Sequence, residues 1–196
     1  ERAENLLTNF YILLDYEQIH EMADANEMAQ LLNSCGRMGK HSIGISLLMG
    51  DKSVIDEAIE IKNKYNQFID KAIQWAPKNI KNYGYLYTLD CRGIIEDTKI
   101  STIASIMCKK ENFNDKPLIV FTDSNKNTLK ISMRISQNLL NEGFNCGKIL
   151  KSIHNNMFSN EFLSGGHKAL AGGYIPSQKL KSYLDTLNSK ISNLFS

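Results

Sequence analysis

The sequence predicts an α/β chain of the α+β kind: a helical connector followed by a small mixed β-sheet domain flanked by helices. Three observations carry this expectation. Apolar residues recur at helical spacing over residues 52–75. Beyond Pro77 the period changes to alternation and short apolar runs. Between the two, the stretch APKNIKN at 76–82 reads as a boundary, which divides a helical region over 1–80 from a sheet domain over 81–196.

Residues 26–35 and 41–49 read as two short helices, with Gly36 and Gly39 breaking the chain between them. The long helix carries Val54, Ile55, Ala58, Ile61, Tyr65, Phe68, Ile69, Ala72 and Ile73 on one face and Asp, Glu, Lys and Asn on the other, and Pro77 ends it. Residues 83–89 alternate and read as one strand. STIASIMC at 101–108 reads as a helix capped by its Ser or Thr. LIVFT at 118–122 is a continuous apolar run, as in a strand covered on both faces. The turn Asn125-Lys126-Asn127 joins it to TLKISMRI at 128–135, which makes a hairpin. A short helix at 146–154 and a brief strand at 173–175 follow. The terminal helix over 177–195 has Leu180, Tyr183, Leu184, Leu187, Ile191 and Leu194 on one face.

Composition narrows the function classes. With 196 residues and 42% apolar content the chain can bury a core. A net charge of +2 supplies no global basic field, so a polyanion ligand requires a local basic cleft. No run of about 18 apolar residues is present, so no membrane-spanning helix is expected. The opening Glu1-Arg2-Ala3-Glu4 lacks a signal-peptide pattern, and its missing initiator Met suggests a fragment with protein upstream. Cys35, Cys91, Cys108 and Cys146 form no C-x-x-C, which fits a reducing cytoplasm. His20, His41, His154 and His167 show no ligand spacing, so no complete metal site is expected on this chain.

Three segments can carry chemistry. In Leu163-Ser164-Gly165-Gly166-His167-Lys168-Ala169 the glycines let backbone approach a ligand, successive N–H groups can form an anion-binding concavity, and a helix starting just after it would add its positive end. His167 can donate to a phosphate oxygen and Lys168 supplies a cation. The same run also serves as a plain glycine turn. In ISMRIS, alternation sets Ser132 and Arg134 on one face, where hydroxyl and guanidinium suit a phosphate or a base edge, or form the wet face of an edge strand. In LLNSCGRMGK, Asn33 and Arg37 lie four apart and share a helix face if the helix extends that far. Alternatively Gly36 is an ordinary left-handed helix cap. Asp24, Asp90, Arg92 and Asp123 fit capping or strand-end roles. Tyr83, Tyr85, Tyr87, Phe144, Phe158 and Tyr174 can stack on bases, although most are expected in the core.

Taken together and in order, DANEMAQLLNSCGRMGK, ISMRIS and SGGHKALAGGYIP resemble three motifs of the RecJ-like members of the DHH phosphoesterase superfamily, in particular archaeal RecJ-like and GINS-associated nucleases. The first resembles D-A-x-E followed by L-L-N-A-C-G-R-x-G-K, the second an S-x-R strand, and the third G-G-G-H-x-x-A-A-G-x-x-I. The resemblance implies that residues 1–80 follow a DHH catalytic domain absent from this chain. It implies that 81–196 form the DHH-associated C-terminal domain that holds the nucleic-acid strand. It further implies that Mn²⁺ or Mg²⁺ in the parent protein activates water for attack on a phosphodiester. On this resemblance Ser132 and Arg134 grip the backbone and Gly165, Gly166 and His167 contact the scissile phosphate, His167 orienting it. Lys168 lies close by, and Asn33, Gly36 and Arg37 stand near the domain junction and the strand. Ser164 stands where the family has a first glycine.

The leading expectation is a single-strand-binding module of a metal-dependent exonuclease, inactive by itself. Alternatives are a non-catalytic replication scaffold beside GINS and the MCM helicase, a phosphodiesterase of oligonucleotides or cyclic dinucleotides, and a tRNA-contacting appendage like that of alanyl-tRNA synthetases. The long N-S-C-G-R connector argues against the last two.

Overall fold

A computed structural model describes residues 11–125, 127–159 and 161–194. The chain divides into two compact units, one through Asp70 and the other from Lys71 onward.

In the first unit α1 (His20–Ala23) leads into α2 (Ala25–Arg37), followed by α3 (His41–Leu48) and the start of α4 (Ile55–Asn79). Met22, Met28, Leu31, Cys35, Leu47, Ile55, Ala58 and Ile61 form its core. Asp24 caps α2 by accepting from the Asn26 amide at 2.6 Å. At the other end Gly39, at φ +70°, takes the left-handed position, and the Lys40 amide reaches back to the Cys35 carbonyl. The cap is therefore Gly39 and not Gly36, and α2 runs on through Arg37.

Helix α4 also outruns expectation. Pro77 lies inside its last turn, where a fixed φ is compatible with helix, and the Asn79 side chain and Ile80 amide satisfy the Trp75 and Ala76 carbonyls.

The second unit is a six-stranded sheet in the order β1-β2-β3-β4-β6-β5, comprising β1 (Lys81–Tyr83), β2 (Leu86–Asp90), β3 (Leu118–Asp123), β4 (Thr128–Arg134), β5 (Ser164–Gly166) and β6 (Leu170–Pro176). Only the β2–β3 pair is parallel, joined through α5 (Ile100–Met107). The single strand expected at 83–89 is instead the hairpin β1–β2. Gly84 at φ +69° reverses the chain, and Asn188 accepts from the Tyr85 amide. Helix α5 has Lys99 at its cap position with no side-chain cap, so the expected Ser or Thr cap is not used.

One face of the sheet is closed. Ile119, Phe121, Leu129, Ile131 and Met133 pack against α6 (Gln137–Asn141), α7 (Cys146–Phe158) and α8 (Leu180–Ser192), with Ile149, Leu150, Ile153, Tyr183 and Leu187 buried among them. Residue 195 of the expected terminal helix lies outside the described residues, and Leu194 is exposed. On the other face α5 packs over β3 and β4. Beyond it β6 and β5 continue the sheet and become the floor of a cleft. No helix among the described residues is long and apolar enough to cross a membrane.

Candidate functional site

Strand register builds the cleft. Period-two alternation sends Lys130, Ser132 and Arg134 to the α5 side of β4, opposite the buried Leu129, Ile131 and Met133. Their partners on β6 are Tyr174, Gly172 and Leu170. Gly172 in turn pairs with Gly165 on β5, so Ser132, Gly172 and Gly165 form one row across three strands. The resulting depression is about 550 Å³, and Ser101 of α5 lines it too. Strand β4 lies inside the sheet, which rules out the edge-strand alternative for Ser132 and Arg134.

Arg134 is half-buried and aimed. Its Nε donates to Ser105 Oγ at 2.9 Å, and its Nη1 donates to the carbonyls of Met133 at 2.8 Å and Ala171 at 3.3 Å. These three oxygens hold the guanidinium at a fixed orientation on β4. Its field reaches two thiols. Burial pushes Cys146 up to about 12 while Arg134 opposes the rise, and Cys108 shifts the same way for the same reasons. Both therefore stay neutral thiols at physiological pH.

A second depression, of about 490 Å³, lies on the far side of β5. Lys148, Lys151, Gly166, His167 and Lys168 line it, and it shares Ser164 and Gly165 with the first. Arg134 and His167 thus face two adjoining depressions and not a single one. No helix follows the SGGH run, because residues 167–169 turn straight into β6. The His167 amide donates to the Leu170 carbonyl at 2.7 Å, so it is already engaged by the turn. The helix that does end here is α7. Its Cys146 and Gly147 amides bond the carbonyls of Lys168 and His167, and the Asn145 side chain takes the Lys148 amide. The His167 amide and the first α7 amides are thus spent within the fold, and the side chains of Lys148, Lys151, His167 and Lys168 line the depression.

The two central glycines differ. At Gly166, φ is +151° and a Cβ would sit 2.3 Å from the Leu170 carbonyl oxygen. A Cβ on Gly165 would meet nothing within 4 Å. Gly165 is exposed where the two depressions meet.

Other candidates fall elsewhere. Asn33 is exposed and Arg37 half-buried one turn apart on α2, in the first unit. Asp90 and Arg92 form a two-pronged ion pair with oxygens at 2.6 to 3.2 Å. With Asp123 they line a depression at the ends of β2 and β3. Burial alone would raise the Asp90 carboxyl, but the Arg92 hydrogen bonds outweigh it and hold it below the usual range. Phe144 and Phe158 are core, Tyr83 bonds Asp185 and Tyr87 bonds Asp115. Lys130, Lys148 and Lys151 escaped the sequence reasoning. Alternation signals Lys130 two residues before Ser132, whereas the α7 lysines reach the site only through tertiary packing.

Among the described residues no group of three or more His, Cys, Asp or Glu is placed to hold a metal ion. The donors at the cleft are Lys, Arg, Ser and one His, a set suited to an anion and not to Mn²⁺ or Mg²⁺.

Comparison with known proteins agrees with this architecture. The uncharacterized protein MJ0831 of Methanocaldococcus jannaschii is 27% identical over 192 residues, which cover 97% of this chain and 39% of MJ0831. RecJ of Thermus thermophilus, solved with Mg²⁺, superposes with a TM-score of 0.65 at 14% identity, over 86% of this chain and 25% of RecJ. The pGpG-specific phosphodiesterase PggH of Vibrio cholerae gives 0.54 at 16%, over 93% and 68%. The chain thus spans about two-fifths of MJ0831 and a quarter of that RecJ, and at these identities the two structures speak to fold alone. The DHHA1 domain model matches residues 82–193, more than half of the chain and nearly the whole sheet unit, and the chain belongs to the DHHA1 domain family.

Proposed function

We propose that this chain binds the backbone of single-stranded nucleic acid across Gly165, as the strand-holding part of a RecJ-like phosphodiesterase. One observation carries this: a bare, exposed glycine separates two depressions, with Ser132, Arg134 and Lys130 on one side and His167, Lys168, Lys148 and Lys151 on the other. A chain of phosphates passing over Gly165 meets cations on both sides, whereas a single small anion would use one. Ser132 and Arg134 hold one phosphate, His167 donates to and orients the next, and the α7 lysines follow the strand outward. That two-sided path favours a polymer over a dinucleotide. Asn33 and Arg37, on α2 of the first unit, are in this proposal further contacts to the strand. Hydrolysis with Mn²⁺ or Mg²⁺, and any association with GINS and the MCM helicase, belong in this proposal to the whole protein.

The test is titration of a labelled oligonucleotide by fluorescence anisotropy across a salt series. Affinity should fall as salt rises, and each cation removed by Lys148→Gln or Lys151→Gln should shallow the log–log slope by about 0.7. The chain alone should leave the strand uncut when Mn²⁺ is added. Salt-independent binding, unchanged affinity in both Arg134→Ala and His167→Ala, or cleavage by the purified chain would each overturn the proposal.

A further inference from the structure

Of the six aromatic residues with sequence credentials for base stacking, the sheet brings one to the cleft. Tyr174 is 38% exposed on β6 and lines the same depression as Ser132, Arg134 and Gly165. Tyr85 is also exposed, but it sits in the β1–β2 turn beside Asn188. Tyr174 pairs across the ladder with Lys130, whose Nζ lies 6.0 Å from the ring centroid. The next row along the same face is Ser132, Gly172 and Gly165. Two residues separate the rows, about 6.6 Å along the strand. Gly172 and Gly165 carry no side chain, so neither adds bulk between the ring and the floor over which a phosphate would pass.

We infer that Tyr174, with Lys130 beside it, is the stacking platform for one base of the bound strand. This rests on the proposed function and adds a base-recognition element to a site otherwise built for phosphate. Every base presents a π-face, so the platform accepts any base and rejects a baseless sugar. Lys130 polarises the ring and keeps its ammonium at the base–phosphate edge. The pair therefore makes the cleft selective for nucleic acid over other polyanions of equal charge.

The experiment compares a labelled oligothymidylate with an abasic strand of the same length, titrated against the full chain and its Tyr174 variants. The unmodified chain should prefer the base-bearing strand by about 5- to 150-fold. Tyr174→Leu should lose that preference while keeping its abasic affinity, and Tyr174→Phe should keep it. Since Trp75 is the single native tryptophan, Tyr174→Trp supplies a second readout: its added emission should be quenched by the oligothymidylate and not by the abasic strand. Equal binding of both strands by the unmodified chain, or equal loss on both in Tyr174→Leu, overturns the platform and leaves the phosphate path standing. Failure of the unmodified chain to bind either strand overturns the path, and the platform with it.

Discussion

The two faces of the sheet come from the same strands and differ in what covers them. Toward α7 and α8, β4 presents Leu129, Ile131 and Met133, all sealed in one apolar cluster. Toward α5 the same strand presents Lys130, Ser132 and Arg134, and the cover stops before β6 and β5. The closed face supplies cohesion. The half-open face can therefore hold cations at fixed register, because β4 is anchored from behind. The glycine pair repeats this division at the scale of one peptide unit, with Gly166 answering to the turn and Gly165 to open space.

Substitutions should respect that division. Ile131→Ala empties a site on the closed face and should cost about 2–5 kcal/mol, measured by urea unfolding. Strand affinity of the folded fraction should stay unchanged; a parallel loss of binding would mean that the faces are not separable. Gly166→Ala should cost about 1–3 kcal/mol of stability from backbone conformation alone, with the Leu170 clash adding to it. Gly165→Ala should stay within about 0.5 kcal/mol of the unmodified stability yet weaken strand binding by placing a methyl in the path. If the two alanines unfold alike, the division within the pair is wrong. On the open face Arg134→Ala should weaken binding by about 1.5–3 kcal/mol, read by anisotropy, while Arg134→Lys restores only part because it loses the forked contacts to Ser105 and Ala171.

These asymmetries are unequally legible in the sequence. The alternation of TLKISMRI identifies both faces of β4, because residues 129–134 pair on both sides without a bulge. The run at 83–89 reads as one strand because Gly84 interrupts it without breaking the aromatic–aliphatic pattern, and the reversal depends on Asn188, about a hundred residues away. Strand β5 has no local signal: SGG has little strand propensity and exists because β6 templates it. For the same reason the SGGH run reads as a turn leading to a helix. Its helix end is α7, which precedes it in the chain and spends its first amides on the turn's own carbonyls. Local patterns show which residues carry charge, but the half-cover by α5 and the approach of Lys148 and Lys151 are tertiary facts.

The smallest expected effect tests whether the closed face communicates with the open one. His154 is 1% exposed, with Nδ1 3.0 Å from the Leu150 carbonyl and Nε2 3.2 Å from that of Tyr174, on the strand that carries the cleft's aromatic ring. Burial lowers its pKa and outweighs the two carbonyls, which favour the charged form. The folded state therefore binds its proton less readily than the unfolded chain, whose histidine titrates near about 6.5. This contribution to stability is complete above about pH 6.5 and is lost as pH falls through the lowered folded value, with a slope of at most about 1.4 kcal/mol per pH unit. His154→Gln keeps a hydrogen-bonding side chain and removes the titration. Its urea midpoint should lose the part of the acid slope between about pH 7 and 5 that the unmodified chain shows. Parallel profiles would mean that His154 takes up its proton alike in the folded and unfolded states and that β6 is indifferent to it. A slope confined to the unmodified chain, with strand affinity falling over the same interval, would tie the buried imidazole to the position of Tyr174.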